Sequence, residues 1–181
     1  WSQTPMVQTV PVRSRPWALK PSKILKFCIL QNFFRNIRMT ITKQEKYDRA
    51  YLRMALEWAK LSHCKRKKVG ALIVKDKMII SDGYNGTPSG FDNCCEDENG
   101  ETKWYVLHAE ANAILKTAKS THNCSQATLY LTMSPCKDCS KLIYQAGIKR
   151  VVYLNKYSSS IGINFLKEAG VEVEKFDKHN L

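Results

Sequence analysis

Three residues with strong affinity for zinc, His108, Cys136 and Cys139, stand in two short runs, His108-Ala109-Glu110 and Pro135-Cys136-Lys137-Asp138-Cys139, with Cys136 following the histidine by 28 positions. Any fold that uses them together must carry the chain away from His108 and return it to the same point. Three ligands leave a tetrahedral coordination shell incomplete. Structural zinc sites usually close with four protein ligands, whereas catalytic ones keep a position for water, whose pKa the metal lowers to about 7. Glu110, a carboxylate next to that open position, is the natural proton carrier.

Helix geometry agrees with this grouping. Ala111, Ile114, Leu115 and Ala118 recur at helical spacing, which predicts a helix from near His108 to about Lys119. His108 and Glu110 would diverge inside a helix, so they converge only at a site lying off its N-terminus. Pro135 suits a second helix start, with Cys136 and Cys139 sharing one face. Two helix N-termini aimed at one spot favour thiolate over thiol and ease the gathering of negative ligands around a metal. Either run alone has commonplace explanations, a redox pair or half a zinc knuckle for the one and chance for the other. Their order and the helices that follow carry the reading.

The 181 residues, 44% hydrophobic, suffice for one domain with a core. No apolar run approaches the roughly 18 residues of a membrane span. Seven cysteines, an odd number without an evident secretory signal, fit a reduced, cytoplasmic setting in which thiols serve metal binding and packing. The net charge of +13 is unevenly spread, because residues 1–38 hold seven basic and no acidic side chains, leaving +6 for residues 39–181. That remainder suits a phosphorylated small molecule and does not demand a nucleic-acid polymer.

Residues 1–38 carry four prolines and no sustained periodicity, and Met39 directly precedes a helix signal. The expectation is a leader outside the fold, upstream translated sequence or alternatively a transit peptide, with the domain spanning 39–181. Thr42 to Glu45 reads as a capping box, and Tyr47, Tyr51, Met54, Ala55 and Trp58 extend a helix to about Leu61. A basic loop, His63 to Lys68, leads to a strand over Val69 to Val74, a turn at Lys75-Asp76-Lys77 and an antiparallel strand from Met78 to Tyr84. After the turn-rich Asn85 to Gly90, residues Asn93 to Glu101 are acidic and include Cys94-Cys95. Further strands are expected at Thr128 to Leu131, Arg150 to Leu154 and Val171 to Phe176, with a helix over Asn164 to Ala169 and helix-ending glycines at Gly147 and Gly170. Alternation of strand and helix after residue 120 implies parallel pairing. The predicted fold is α/β, a three-layer α/β/α sandwich on a mixed sheet of about five strands.

Several segments together resemble the deoxycytidylate (dCMP) deaminases of the cytidine deaminase superfamily, close to the bacterial competence-protein-like branch. They are Cys64-Lys65-Arg66 with Val69-Gly70-Ala71, Gly83-Tyr84-Asn85-Gly86, His108 to Ala113, Pro135 to Cys139, and Leu142 to Ile148, covering roughly residues 43–176. His-x-Glu with Pro-Cys-x-x-Cys is the known signature of zinc nucleobase deaminases. Nucleoside deaminases commonly have cysteine at the position of His108, and transfer-RNA adenosine deaminases lack the Gly-Tyr-Asn-Gly loop.

The resemblance implies Zn2+ held by His108, Cys136 and Cys139, with Glu110 as proton carrier in hydrolysis of dCMP to dUMP for thymidylate synthesis. It implies substrate contacts from Asn85, Arg66 and Tyr157. The alternatives are a tight-turn asparagine for Asn85, a solvated loop charge for Arg66 and a packing tyrosine for Tyr157. Relatives form hexamers and answer to dCTP and dTTP with Mg2+ near the Gly-Tyr-Asn-Gly loop. Some carry a second, structural zinc, for which Cys64, Cys94 and Cys95 are available here, although Val106 stands where such relatives have histidine. Two rival functions remain open at this point. One is deamination of a base in RNA or single-stranded DNA, which lacks an aromatic and arginine stripe to support it. The other is a noncatalytic zinc-binding assembly module, for which Glu110 would have no use.

Overall fold

A computed structural model describes residues 42–177 and Leu181, so the expectation for the leader at residues 1–38 lies outside the described residues. Helix α1 spans Lys43–Lys60 and begins with the reciprocal capping box: the Thr42 hydroxyl accepts from the Glu45 N–H, and the Glu45 carboxylate accepts from the Thr42 N–H. Strands β1 (Gly70–Lys75) and β2 (Met78–Tyr84) form the expected hairpin. Its two-residue turn holds Asp76 and Lys77 at φ of 50° and 64°, the twist that joins antiparallel strands tightly.

Helix α2 covers Ala109–Thr117, strand β3 Thr128–Met133, helix α3 Lys137–Gln145, strand β4 Arg150–Asn155, helix α4 Ile161–Glu168 and strand β5 Glu172–Lys175. The sheet runs β2-β1-β3-β4-β5, antiparallel up to β3 and parallel beyond it, which is the mixed five-stranded arrangement expected. Gly147 and Gly170 take positive φ after α3 and α4, where a side chain would be strained.

Period-two alternation divides the core in two. On one face Leu72, Val74, Tyr130, Val152 and Leu154 meet Tyr51, Leu52 and Ala55 of α1. On the other, alternate residues of the same strands, among them Ile73, Leu129 and Val151, meet Ala113 of α2, Ile143 of α3 and Leu166 of α4. The result is a three-layer α/β/α sandwich. Among the described residues no helix is long and apolar enough to cross a membrane.

Two helix starts differ from expectation for a physical reason. Helix α4 starts at Ile161, three residues before Asn164, because its first turn is fixed by contact rather than by a capping side chain: Ser160 makes no cap hydrogen bond, and a Cβ on Gly162 would lie 2.4 Å from Ser140 Oγ. Pro135 is not the first residue of α3. Cys136 is the N-cap, and its Sγ faces the Cys139 N–H at 3.5 Å.

Candidate active site

Helices α2 and α3 deliver their N-caps, His108 and Cys136, to one point. Both caps have extended backbone, φ/ψ of −72°/156° and −75°/172°, so their side chains leave ahead of the helix axis rather than along its flank. This resolves the geometric problem of His108 and Glu110. The imidazole stands before the helix, and the buried carboxylate on its first turn is close enough to interact with it electrostatically.

His108 Nδ1 lies 3.5 Å from Cys136 Sγ and 3.3 Å from Cys139 Sγ, and the three donor atoms fall within 4.8 Å of one another. A tetrahedral zinc with Zn–S of about 2.3 Å and Zn–N of about 2.0 Å places sulfur and nitrogen about 3.5 Å apart. The spacing therefore fits zinc. The charges fit as well. The hydrogen bond from Cys139, helped by His108 and by the backbone N–H groups of Asp138 and Cys139, pulls the Cys136 thiol down to about 3 against the effect of burial. Cys139 is pushed upward because it lies beside that thiolate, is buried and faces Glu110. A dication among the three offsets the repulsion that keeps the second thiol protonated.

Glu110 is 4% exposed, and burial raises its carboxyl to about 7, although its own backbone N–H and His108 act in the other direction. A carboxyl poised there gives and takes protons near neutral pH. Two glycines set the helix starts close to their supports. A Cβ on Gly83 of β2 would lie 2.3 Å from the Ala109 carbonyl oxygen, and one on Gly162 would lie 2.6 Å from that of Pro135.

His108, Glu110 and Cys136 line a cleft of about 380 Å³ whose walls also include Arg66, Asn85 and Tyr157, while Cys139 is not part of its lining. Asn85 has a structural duty there. Its Oδ1 accepts from the Val69 N–H at 2.7 Å and its Nδ2 donates to the Lys67 carbonyl at 2.8 Å, pinning the basic loop to the end of β2. Arg66 Nη1 meets Glu101 Oε2 at 2.6 Å. The Tyr157 N–H donates to Ser134 Oγ, and Lys67 Nζ sits 5.2 Å from the Tyr157 ring centroid.

Glu96 is a site-shaping residue that sequence reasoning missed. Its buried carboxylate accepts the backbone N–H groups of Lys65 and Arg66 at 2.9 and 3.1 Å and so fixes the direction of the basic loop. The only sequence signal was an acid beside Cys95. The second metal set needs correction, and so does the all-thiol expectation. Cys64 and Cys95 are joined in a disulfide with Cα atoms 5.1 Å apart, and Cys94 is exposed with its Sγ on the Glu96 carbonyl. Glu96 brings the two loops into register, so the cysteines beside its contacts pair with each other. Among the described residues the one cluster of metal-ligating side chains is His108, Cys136 and Cys139.

The sequence pattern of the cytidine and deoxycytidylate deaminase zinc-binding region matches residues 45–155. The chain is 34% identical over 163 residues to the deoxycytidylate deaminase of Enterobacteria phage T4, covering 66% of this chain and 84% of that protein. It is 39% identical over 121 residues to the deoxycytidylate deaminase of Mycobacterium phage D29, covering 59% and 93%. Its fold is similar to the crystal structure of dCMP deaminase from the cyanophage S-TIM5 in complex with dCMP and dUMP, with a TM-score of 0.71, 51% identity, and coverage of 72% of this chain and 97% of that one. With the two ligand-bearing helix starts converging as that pattern requires, the chain belongs to the cytidine and deoxycytidylate deaminase family of zinc-binding enzymes.

Proposed function

We propose that this chain removes the 4-amino group of dCMP by hydrolysis, giving dUMP and ammonia. The observation that carries the reading is the buried Glu110 beside the three-donor centre, in the same cleft as Arg66 and Lys67. Similarity to the S-TIM5 enzyme, bound to dCMP and dUMP, supports the choice of nucleotide.

His108, Cys136 and Cys139 would hold the zinc, which when bound supplies an acidified water and positive charge beside the reacting carbon. Glu110 carries a proton to the ring nitrogen N3 and then delivers one to the departing amino nitrogen. Burial keeps its carboxyl in the range where both transfers are open. Arg66 takes the 5′-phosphate, its guanidinium fork matching phosphate oxygens, with Lys67 adding charge. Asn85 and Tyr157 line the wall against the nucleoside.

Domain extent and regulation belong to the same reading. The catalytic unit is residues 39–181, supported by the family match over 45–155 and by a fold whose first described helix starts at Lys43. By resemblance the enzyme assembles as a hexamer and is activated by dCTP and inhibited by dTTP with Mg2+. A cavity of about 450 Å³ bordered by Tyr84, Gly86, Asn112 and Lys116 adjoins the loop to which that resemblance assigns the effector. Initial rates on dCMP, deoxycytidine, transfer RNA and a cytosine oligonucleotide test the substrate. Preference for dCMP supports the reading, and preference for a polymer overturns it.

A further inference from the structure

The group assigned to the substrate phosphate already holds an anion of the protein's own. Arg66 Nη1 pairs with Glu101 Oε2 at 2.6 Å, and both side chains line the cleft that contains His108 and Glu110. The pair is half open to solvent, with Arg66 50% and Glu101 71% exposed, so it is weak and readily exchanged.

The backbone beneath Glu101 is nevertheless built. Asp97 Oδ1 accepts the N–H groups of Asn99 and Glu101, each at 2.9 Å, and the Asp97 N–H returns to the Glu101 carbonyl at 2.8 Å. Gly100 closes that turn at φ of 76°. The turn is anchored to the basic loop from both ends of Glu96: its carboxylate holds the Lys65 and Arg66 N–H groups, and its neighbour Cys95 is bonded to Cys64. A tightly made turn thus presents one carboxylate to one guanidinium across the mouth of the cleft.

We propose that Glu101 is a built-in competitor for Arg66. Its carboxylate holds the guanidinium between turnovers, gives it up to the incoming 5′-phosphate, and reclaims it as the phosphorylated product leaves. The inference rests on the reading of Arg66 as the phosphate group's partner. Because the phosphate is unchanged by the reaction, the competition weakens substrate, product and transition state alike, and its effect falls on KM and product inhibition rather than on kcat.

The test compares wild type, Glu101→Gln and Arg66→Gln in zinc-loaded full-length protein, using dCMP kinetics, inhibition by dUMP and binding of inorganic phosphate by calorimetry. Glu101→Gln should lower the dCMP KM and strengthen dUMP and phosphate binding by about two- to fivefold, the scale of one exposed ion pair. Deoxycytidine, which has no phosphate, should bind both proteins equally. Arg66→Gln should weaken all three phosphorylated ligands. If Arg66→Gln weakens them but Glu101→Gln leaves them unmoved or weakens them too, the competitor role is overturned while the Arg66 reading stands. If Arg66→Gln changes nothing, both are overturned.

Discussion

Arg150 of β4 holds both carboxylate oxygens of Asp48 in α1 at 2.9 Å, a bidentate pair that ties the outer helix to the parallel half of the sheet across 102 residues of sequence. Tyr130 donates to the same carboxylate at 2.7 Å, and Glu172 and Glu174 face the same guanidinium. Removing Asp48 leaves a nearly buried cation whose remaining partners are the exposed carboxylates of β5. Asp48→Ala should cost about 3 kcal/mol, the low end for breaking a buried pair, in urea unfolding at neutral pH. Burial alone would raise the Asp48 pKa, but hydrogen bonds from Arg150, Tyr130 and Gln44 outweigh it and hold the carboxyl below its ordinary value. The unfolded chain therefore takes up this proton more readily. The stabilisation is complete above the unfolded pKa of about 3.9 and is lost as pH falls through the lower folded value. The stability gap between wild type and Asp48→Asn should narrow below about pH 4; a gap independent of pH would remove the pair from the account.

Gly83 sets how closely α2 approaches the hairpin. The Cβ of any other residue would lie 2.3 Å from the Ala109 carbonyl oxygen and 2.7 Å from the Ala113 nitrogen, contacts with backbone that no rotamer relieves. Gly83→Val should destabilise the protein by about 3 kcal/mol, the upper end for overpacking, and lower its zinc content, since the displaced helix carries His108 at its cap. Thermal unfolding and metal analysis on the same sample check both effects. Full zinc loading at wild-type stability would contradict the contact.

The Cys64–Cys95 bond fastens the basic loop to the acidic turn. In peptide mapping without reductant, Cys64 and Cys95 should be recovered in one linked pair while Cys94 is alkylated. Cys95→Ser should be about 3 kcal/mol less stable than the oxidised protein, and reductant should bring the wild type close to the variant. Free alkylation of Cys95 in unreduced protein would contradict the linkage.

What the sequence made legible was local. The β1–β2 hairpin was readable because Val69 to Val74 is an unbroken apolar run ended by a turn. The α1 start was readable because Thr42 and Glu45 stand three apart, and the metal centre because His108 and Cys136 both precede helical patterns. What stayed hidden depends on long-range pairing. Asp48 looks like any polar residue on a helix until Arg150 is brought against it. Glu96 sits in an acidic run that reads as a solvated loop, yet its carboxylate is buried on two backbone N–H groups. Cys64 and Cys95 are 31 residues apart, and their pairing follows from that same loop contact rather than from their spacing.

The proposed role of Glu110 is to move protons beside a zinc ion that other residues hold. Zinc stoichiometry and dCMP turnover of Glu110→Gln, measured beside the wild type, separate that role from metal binding. Both proteins should carry one zinc per chain, and kcat should fall by at least about 100-fold in the variant, the lower end for loss of a general acid–base group. A variant that keeps its zinc and turns over dCMP at close to the wild-type rate, or one that loses the metal along with the activity, would contradict it.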